Sequence, residues 1–205
     1  MARWLVIVSG WHSRGYLPHL DVPGLVQSIT IRLADSLPKA TLRRLLAETE
    51  HDDRSRRQRL DALLDAGHGA CWLGHPEIAA LVEQALLDGD GRRYRLLSWV
   101  IMPNHLHVLI EAMPGISLGE VVRLWKGGTA RAANLILGRT GAFWERDYFD
   151  RYIRDETHLA AVMRYIEQNP IKAGLVKNAQ DGRFGSAGYG SAGFSRPTGT
   201  PASAG

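Results

Sequence analysis

Tyr94-Arg-Leu-Leu-Ser-Trp-Val-Ile101 and His105-Leu-His-Val-Leu-Ile-Glu111 are two short apolar runs joined only by Met102-Pro103-Asn104. Their length and their content of β-branched and aromatic residues read as strands. A Pro-Asn link this short makes them the two arms of an antiparallel hairpin. Upstream, Val26 to Leu33 alternates, with Ile29, Ile31 and Leu33 on one face, and predicts a half-buried strand that Asp35-Ser36-Leu37-Pro38 ends. Between this strand and the hairpin the pattern turns helical. A helix is expected over Thr41–Glu50, and His51 to Arg59 (HDDRSRRQR) reads as the solvated start of another, with an apolar stripe at Leu60, Leu63 and Leu64. Gly67-His68-Gly69 closes that stripe. His75-Pro76-Glu77 then opens a helix to about Leu87, with Pro in its first turn and an acid beside it. Downstream, Ser117 and Glu120 form a capping-box pattern for a helix to about Leu137, weakened in the middle by Gly127-Gly128. A last helix is expected from Asp155-Glu156 to Asn169, with Pro170 as its stop. Strands that are antiparallel candidates, separated by one or two helices, argue for an α+β fold with helices on one face of a small sheet.

The bulk figures fit one domain. The chain has 205 residues, 45% hydrophobic and 22% charged, which excludes a disordered chain, a collagen-like fibre and a coiled coil. One cysteine, Cys71, excludes an internal disulfide and a multi-thiolate zinc site; beside Trp72 it reads as a small buried hydrophobe. No apolar run reaches the roughly 18 residues of a membrane span. The start, MARWLVIVSGWHSRG, lacks a long apolar region and a small-residue cleavage site, so a reduced, cytosolic protein without a membrane partner is expected. Twenty-five Lys+Arg against 21 Asp+Glu give +4, a weak lean toward a polyanion carried mostly by Arg. Past Arg183 the near-repeat GSAGY, GSAGF has too little apolar surface to offset the entropy of ordering it. A folded unit over 1–182 and a disordered tail over 183–205 are expected.

Two groups of residues carry chemistry. On a strand, His105 and His107 point to the same face while Leu106 points to the other. Two converging imidazoles are two-thirds of a metal site, and equally two surface histidines on an edge strand; nothing further along the strand supplies a third ligand. On a helix, Tyr165 and Asn169 at i and i+4 share a face, apart from the apolar face of Leu159, Val162 and Ile166. That pair offers a phenol nucleophile and an amide oxygen together, or simply a half-buried Tyr and a helix-terminal Asn.

Three stretches in order carry a resemblance: Trp99-Val-Ile-Met-Pro-Asn-His-Leu-His-Val-Leu109, Phe143-Trp-Glu-Arg-Asp-Tyr-Phe-Asp-Arg-Tyr-Ile-Arg154 and Arg164-Tyr-Ile-Glu-Gln-Asn-Pro-Ile-Lys-Ala-Gly-Leu175. With the weaker pieces Arg14-Gly-Tyr-Leu-Pro-His19 and Thr30–Pro38, the sequence resembles the REP-associated tyrosine transposases, single-tyrosine members of the His-hydrophobic-His nucleases, over about residues 12–177. The resemblance implies a ferredoxin-like fold with a central antiparallel sheet. It implies His105 and His107 as ligands of Mg²⁺ or Mn²⁺, Tyr165 as nucleophile, and Asn169 as third ligand with Gln168 as rival. The charged connection at residues 39–75 is shared by only some of that family.

The activity this implies is metal-dependent cleavage and strand transfer of single-stranded, hairpin-forming DNA through a 5′-phosphotyrosine, with no nucleotide cofactor. Lys126, Arg151, Arg154 and Lys172 are the candidate contacts to the DNA backbone. Trp144, Tyr148, Phe149 and Tyr152 are expected to pack beneath the helix that carries the tyrosine. Water-driven DNA hydrolysis and inactive hairpin binding are the other two readings. A nucleoid-associated monomer or homodimer fits all three.

Overall fold

The computed structural model describes residues 10–13, 18–20, 22, 24–50 and 52–189. The start of the chain, most of the Arg14–His19 piece, His51 and the tail from residue 190 lie outside the described residues. In chain order the elements are β1 (Trp11–Ser13), β2 (Pro18–Leu20), β3 (Val26–Arg32), α1 (Lys39–Glu48), α2 (Asp53–Asp65), α3 (Pro76–Leu87), β4 (Tyr94–Ile101), β5 (His105–Ala112), α4 (Leu118–Ile136), β6 (Phe149–Tyr152), α5 (Glu156–Lys172) and α6 (Ser186–Tyr189). One-turn 3₁₀ helices lie at Trp72–Gly74 and Ala179–Asp181.

The main sheet has the order β4-β5-β3-β6 with every neighbour antiparallel. Taken with α3 after β3 and α4 after β5, this is the split βαββαβ arrangement of the ferredoxin-like fold. The hairpin forms over the strands its sequence predicts. A bulge between Leu96 and Ser98 shifts the register of β4, so Leu96 and Trp99 both reach the same core.

β5 is central, and seven of its eight residues are buried. Leu106, Val108 and Ile110 point into the large core, joined by Ile29 and Ile31 of β3 and closed by Ile78, Val82 and Leu86 of α3 and Val121, Val122 and Trp125 of α4. Both helices therefore cover one face of the sheet. The Ser117 cap read from sequence is in place, its hydroxyl accepting the Glu120 N–H at 3.1 Å, and Asp155 caps α5 in the same way by accepting the His158 N–H at 2.7 Å. Gly127-Gly128 does not interrupt α4.

The opposite face of the sheet is covered by α5, whose Ile166 packs with Val100, Leu109 and Ile153. Pro170 does not stop this helix; α5 runs two residues further, to Lys172. A proline one turn from a helix end removes only a terminal hydrogen bond, and Pro170 is buried here. The 39–75 connection forms α1 and α2, which make a smaller core of Leu37, Leu42, Leu45, Leu60 and Leu64.

Three local expectations change. Trp144 and Tyr148 pack, but in the large core on the sheet face away from α5, and Phe149–Tyr152 is the edge strand β6. Cys71 is only half-buried; it takes a left-handed conformation (φ 52°) and its thiol donates to the Gly67 carbonyl. Composition puts the tail boundary after Gly182, yet residues 184–189 lie along the free edge of β4. There Gly185 bridges Val100, the Ile101 N–H donates to the Phe184 carbonyl, and the Tyr189 ring meets Trp99 edge-on. Covering an edge strand in this way removes a row of open backbone groups.

β1 and β2 form a separate two-stranded sheet, tied to β6 by His19. This buried imidazole lies between Asp150 (Nδ1 to Oδ1 2.5 Å) and Asp147 (Nε2 to Oδ1 2.8 Å) and stacks on Tyr148. Burial opposes its charge, but the two carboxylates outweigh burial and raise its pKa to about 9. Among the described residues no helix is long and apolar enough to cross a membrane.

Candidate active site

On the face of β5 turned toward α5, His105 and His107 are 0% and 2% exposed. They are not edge-strand surface residues, because β5 is flanked by β3 and β4. Their Nε2 atoms stand 3.1 Å apart. The network around them fixes the proton positions. Asn104 donates through Nδ2 to the Leu64 and His68 carbonyls, at 3.1 and 3.0 Å, so its Oδ1 is left to accept. Nδ1 of His105, 2.7 Å away, must therefore be the donor, and His105 Nε2 carries a lone pair. His107 Nδ1 lies 2.9 Å from the hydroxyl of Thr30, its cross-strand partner. That hydroxyl can accept the imidazole proton and free the second Nε2 as well.

Burial holds both imidazoles neutral. It drives His107 down to about 4 and His105 well below its ordinary value, where the neighbouring His107 adds to the effect. Two neutral, buried imidazoles whose Nε2 atoms converge offer a cation two nitrogen donors. The separation is that of neighbouring ligands on one ion: with bonds of about 2.1 Å, donors at right angles stand about 3.0 Å apart.

Helix α5 supplies the rest. The Tyr165 hydroxyl is 3.5 Å from His107 Nε2, and the two rings meet edge-on at 5.3 Å. One turn later Asn169 is 0% exposed; its amide faces the Tyr165 phenol, and neither its Oδ1 nor its Nδ2 closes a well-formed hydrogen bond. Leaving a buried amide unpaired costs about 1–3 kcal/mol per group, so this amide is the clearest sign in the molecule of a missing partner. Gln168, its rival for the same role, is exposed.

A third wall comes from α2. The Asp65 Oδ1 atom is buried without a hydrogen-bond partner and lies 3.9 Å from His105 Nε2. Burial, then the charge of Asp61, pushes Asp65 up to about 6, and burial also raises Asp61. Asp61 faces the phenol. Burial first, then these two carboxyls, pushes the Tyr165 hydroxyl well above its usual range, so it is a protonated phenol at neutral pH. Lys172 is the nearby cation, its Nζ 4.9 Å from the centre of the Tyr165 ring.

The structure thus gathers His105, His107, Tyr165 and Asn169 from one chain. Among the described residues no three His, Cys, Asp or Glu side chains are already drawn together as a metal cluster; the third donor of such a site has to be an amide or a side chain that moves in. The donor set fits a divalent ion: two imidazole nitrogens and a buried, unpaired amide oxygen, with a carboxylate at the rim. Arg151 lies on β6 beside β3, and Arg154 is exposed just before α5. Lys126 is not brought to this face. It lies on α4, across the sheet, where Nζ donates to the Arg146 carbonyl at 2.7 Å and burial lowers its pKa to about 8.

Sequence reasoning misses Thr30, Asn104, Asp61 and Asp65. Asn104 has a signal in standing directly before His105. The two aspartates have one in their i, i+4 spacing on a helix whose Leu60 and Leu64 repeat at the same interval.

Comparison with known proteins covers the same residues. Residues 88–169 match the family model for IS200-like transposases. An uncharacterized protein of Haemophilus influenzae is 30% identical over 102 residues, 38% of this chain and 54% of its own length. The match therefore spans about half of that relative. The structure of a REP-associated tyrosine transposase bound to a REP hairpin superposes with a TM-score of 0.55 at 17% identity, over 88% of this chain and 85% of that one. At that identity the likeness concerns the fold, which the two share. The segment that matches the IS200-like transposase model, residues 88–169, is the one that carries both histidines, the tyrosine and the asparagine.

Proposed function

We propose that this protein cleaves and rejoins single-stranded DNA at a hairpin, with Tyr165 as the nucleophile and a divalent cation, Mg²⁺ or Mn²⁺, held by His105, His107 and Asn169. The observation that carries this reading is the approach of the Tyr165 hydroxyl to 3.5 Å from His107 Nε2, beside the unpaired Asn169 amide. The superposed transposase is bound to a REP hairpin, which supports the choice of DNA.

When bound, the cation supplies a Lewis acid that polarises the scissile phosphate and balances charge developing on its oxygens. The chain's own residues do the rest. Tyr165 Oη attacks phosphorus, and its proton passes to the Asp61 carboxyl that faces it. The bond from phosphorus to the 3′ oxygen breaks, and that oxygen leaves as a hydroxyl by taking the proton that Asp61 received. The 5′ phosphate stays on Tyr165. One phosphodiester replaces another, so a later 3′-hydroxyl reverses the step and joins strands without a nucleotide cofactor. Lys172, which lies over the Tyr165 ring, steers the DNA backbone together with Arg151 and Arg154; Lys126, on the other face, has no part in this step.

The test is a denaturing gel of the protein with hairpin-bearing single-stranded DNA and Mn²⁺. A protein-linked DNA band is expected from the wild type and none from Tyr165→Phe. Cut DNA without any linked band would mean that water is the nucleophile, and binding with neither product would mean an inactive hairpin binder.

A further inference from the structure

We propose that Asp65, on α2, is a further ligand of the cation at the His105–His107 site, giving that site a carboxylate oxygen beside two imidazoles and an amide. This deepens the proposed reading of the site and rests on it.

Asp65 Oδ1 is buried, has no hydrogen-bond partner, and stands 3.9 Å from His105 Nε2. The proton count at His105 excludes an ordinary hydrogen bond between them: its single N–H, on Nδ1, is committed to Asn104, so Nε2 and the carboxylate present lone pairs to each other. Lone pairs facing across 3.9 Å fit a shared ion. With bonds of about 2.1 Å, two ligands lie about 3.0 Å apart at right angles and about 4.2 Å apart when opposed, so a shift of about 0.3 Å brings this pair to the opposed spacing.

The placement of α2 is also built in. Asn104 donates to the carbonyls of Leu64 and His68, which bracket Asp65 in sequence. The residue that orients His105 therefore also fixes the backbone on either side of Asp65. Leu60 and Leu64 hold the other side of α2 against α1. A carboxylate changes what the site prefers. Two imidazoles and an amide are neutral and favour the softer Mn²⁺; an added hard, anionic oxygen raises affinity for Mg²⁺ in particular.

The experiment is calorimetric titration of the full chain, without DNA, by Mn²⁺ and by Mg²⁺, for the wild type, His107→Ala, Asp65→Asn and Asp65→Ser. The two Asp65 variants are made together so that a misfolded one does not decide the matter, and folding is checked by metal-free melting. The wild type is expected to bind both ions and His107→Ala neither. Both Asp65 variants should keep Mn²⁺ binding but lose at least about tenfold in Mg²⁺ affinity, with a smaller loss for Mn²⁺. Equal affinities in the wild type and a folded Asp65 variant would overturn the role of Asp65 and leave the three-residue site standing. A wild type that binds neither ion would overturn the metal site itself.

Discussion

The two faces of β5 are equally hidden from water and built on opposite principles. One face, Leu106, Val108 and Ile110, meets aliphatic and aromatic side chains of α3 and α4, and every contact there is made within the chain. The other presents His105 and His107 to α5 and α2, where Asn169 and Asp65 keep buried polar atoms without partners. A buried apolar atom is satisfied by packing alone, whereas a buried lone pair costs free energy until something meets it. The first face is complete as it stands. The second leaves buried polar atoms open, as the proposed cation requires, and substitutions on the two faces should therefore separate stability from chemistry.

The largest expected effect is on the polar face. Tyr165→Phe should lower the yield of covalent adduct by at least ~1000-fold, about 4 kcal/mol in the barrier, with the melting temperature and hairpin binding retained. Next comes the apolar face. Ile110→Ala should cost about 2–5 kcal/mol in denaturant unfolding through the cavity it leaves, while Mn²⁺ still raises the melting temperature of the remaining fold. His107→Ala should show the reverse: that Mn²⁺-induced gain, about 2.7 kcal/mol at a hundred times the dissociation constant, disappears.

The smallest effect lies away from both faces, at His19. Its folded pKa, about 9, is raised above the ordinary 6.5. Its contribution is therefore fully present below about pH 6.5 and is lost as pH rises through 9. Because it holds only the β1–β2 sheet to β6, the wild type should lose a few degrees of melting temperature between pH 7 and 10. A His19→Gln variant should lose less over the same window.

Much of the scaffold is legible in the sequence because its signals are local. Alternation in Val26–Leu33, the Pro-Asn link after Ile101, and the Ser117 cap act over a few residues, and the elements they predict form. The i, i+2 histidines and the i, i+4 Tyr165 and Asn169 are legible for the same reason. What escapes is long-range. β6 is only four residues and becomes a strand by pairing with β3. Pro170 reads as a stop when only local chain geometry is weighed, but burial beneath the sheet carries α5 past it. The ordering of residues 184–189 depends on the open edge of β4, which composition does not register. Asp61 and Asp65 pass unnoticed because nothing local says that α2 is laid against the histidines. That docking is made by Asn104, some 40 residues further along the chain.

The central claim is that the phenol of Tyr165 forms the covalent link to DNA. Trypsin cuts after Arg164 and after Lys172, which isolates Tyr165–Lys172 as a peptide with one tyrosine. The adduct formed with hairpin DNA and Mn²⁺, trimmed by nuclease and digested with trypsin, is analysed by mass spectrometry. The account predicts that this peptide carries the mass of a nucleotide 5′-phosphate on its tyrosine. Finding that mass on a peptide containing Tyr152, or on no peptide while the DNA is cut, would contradict it.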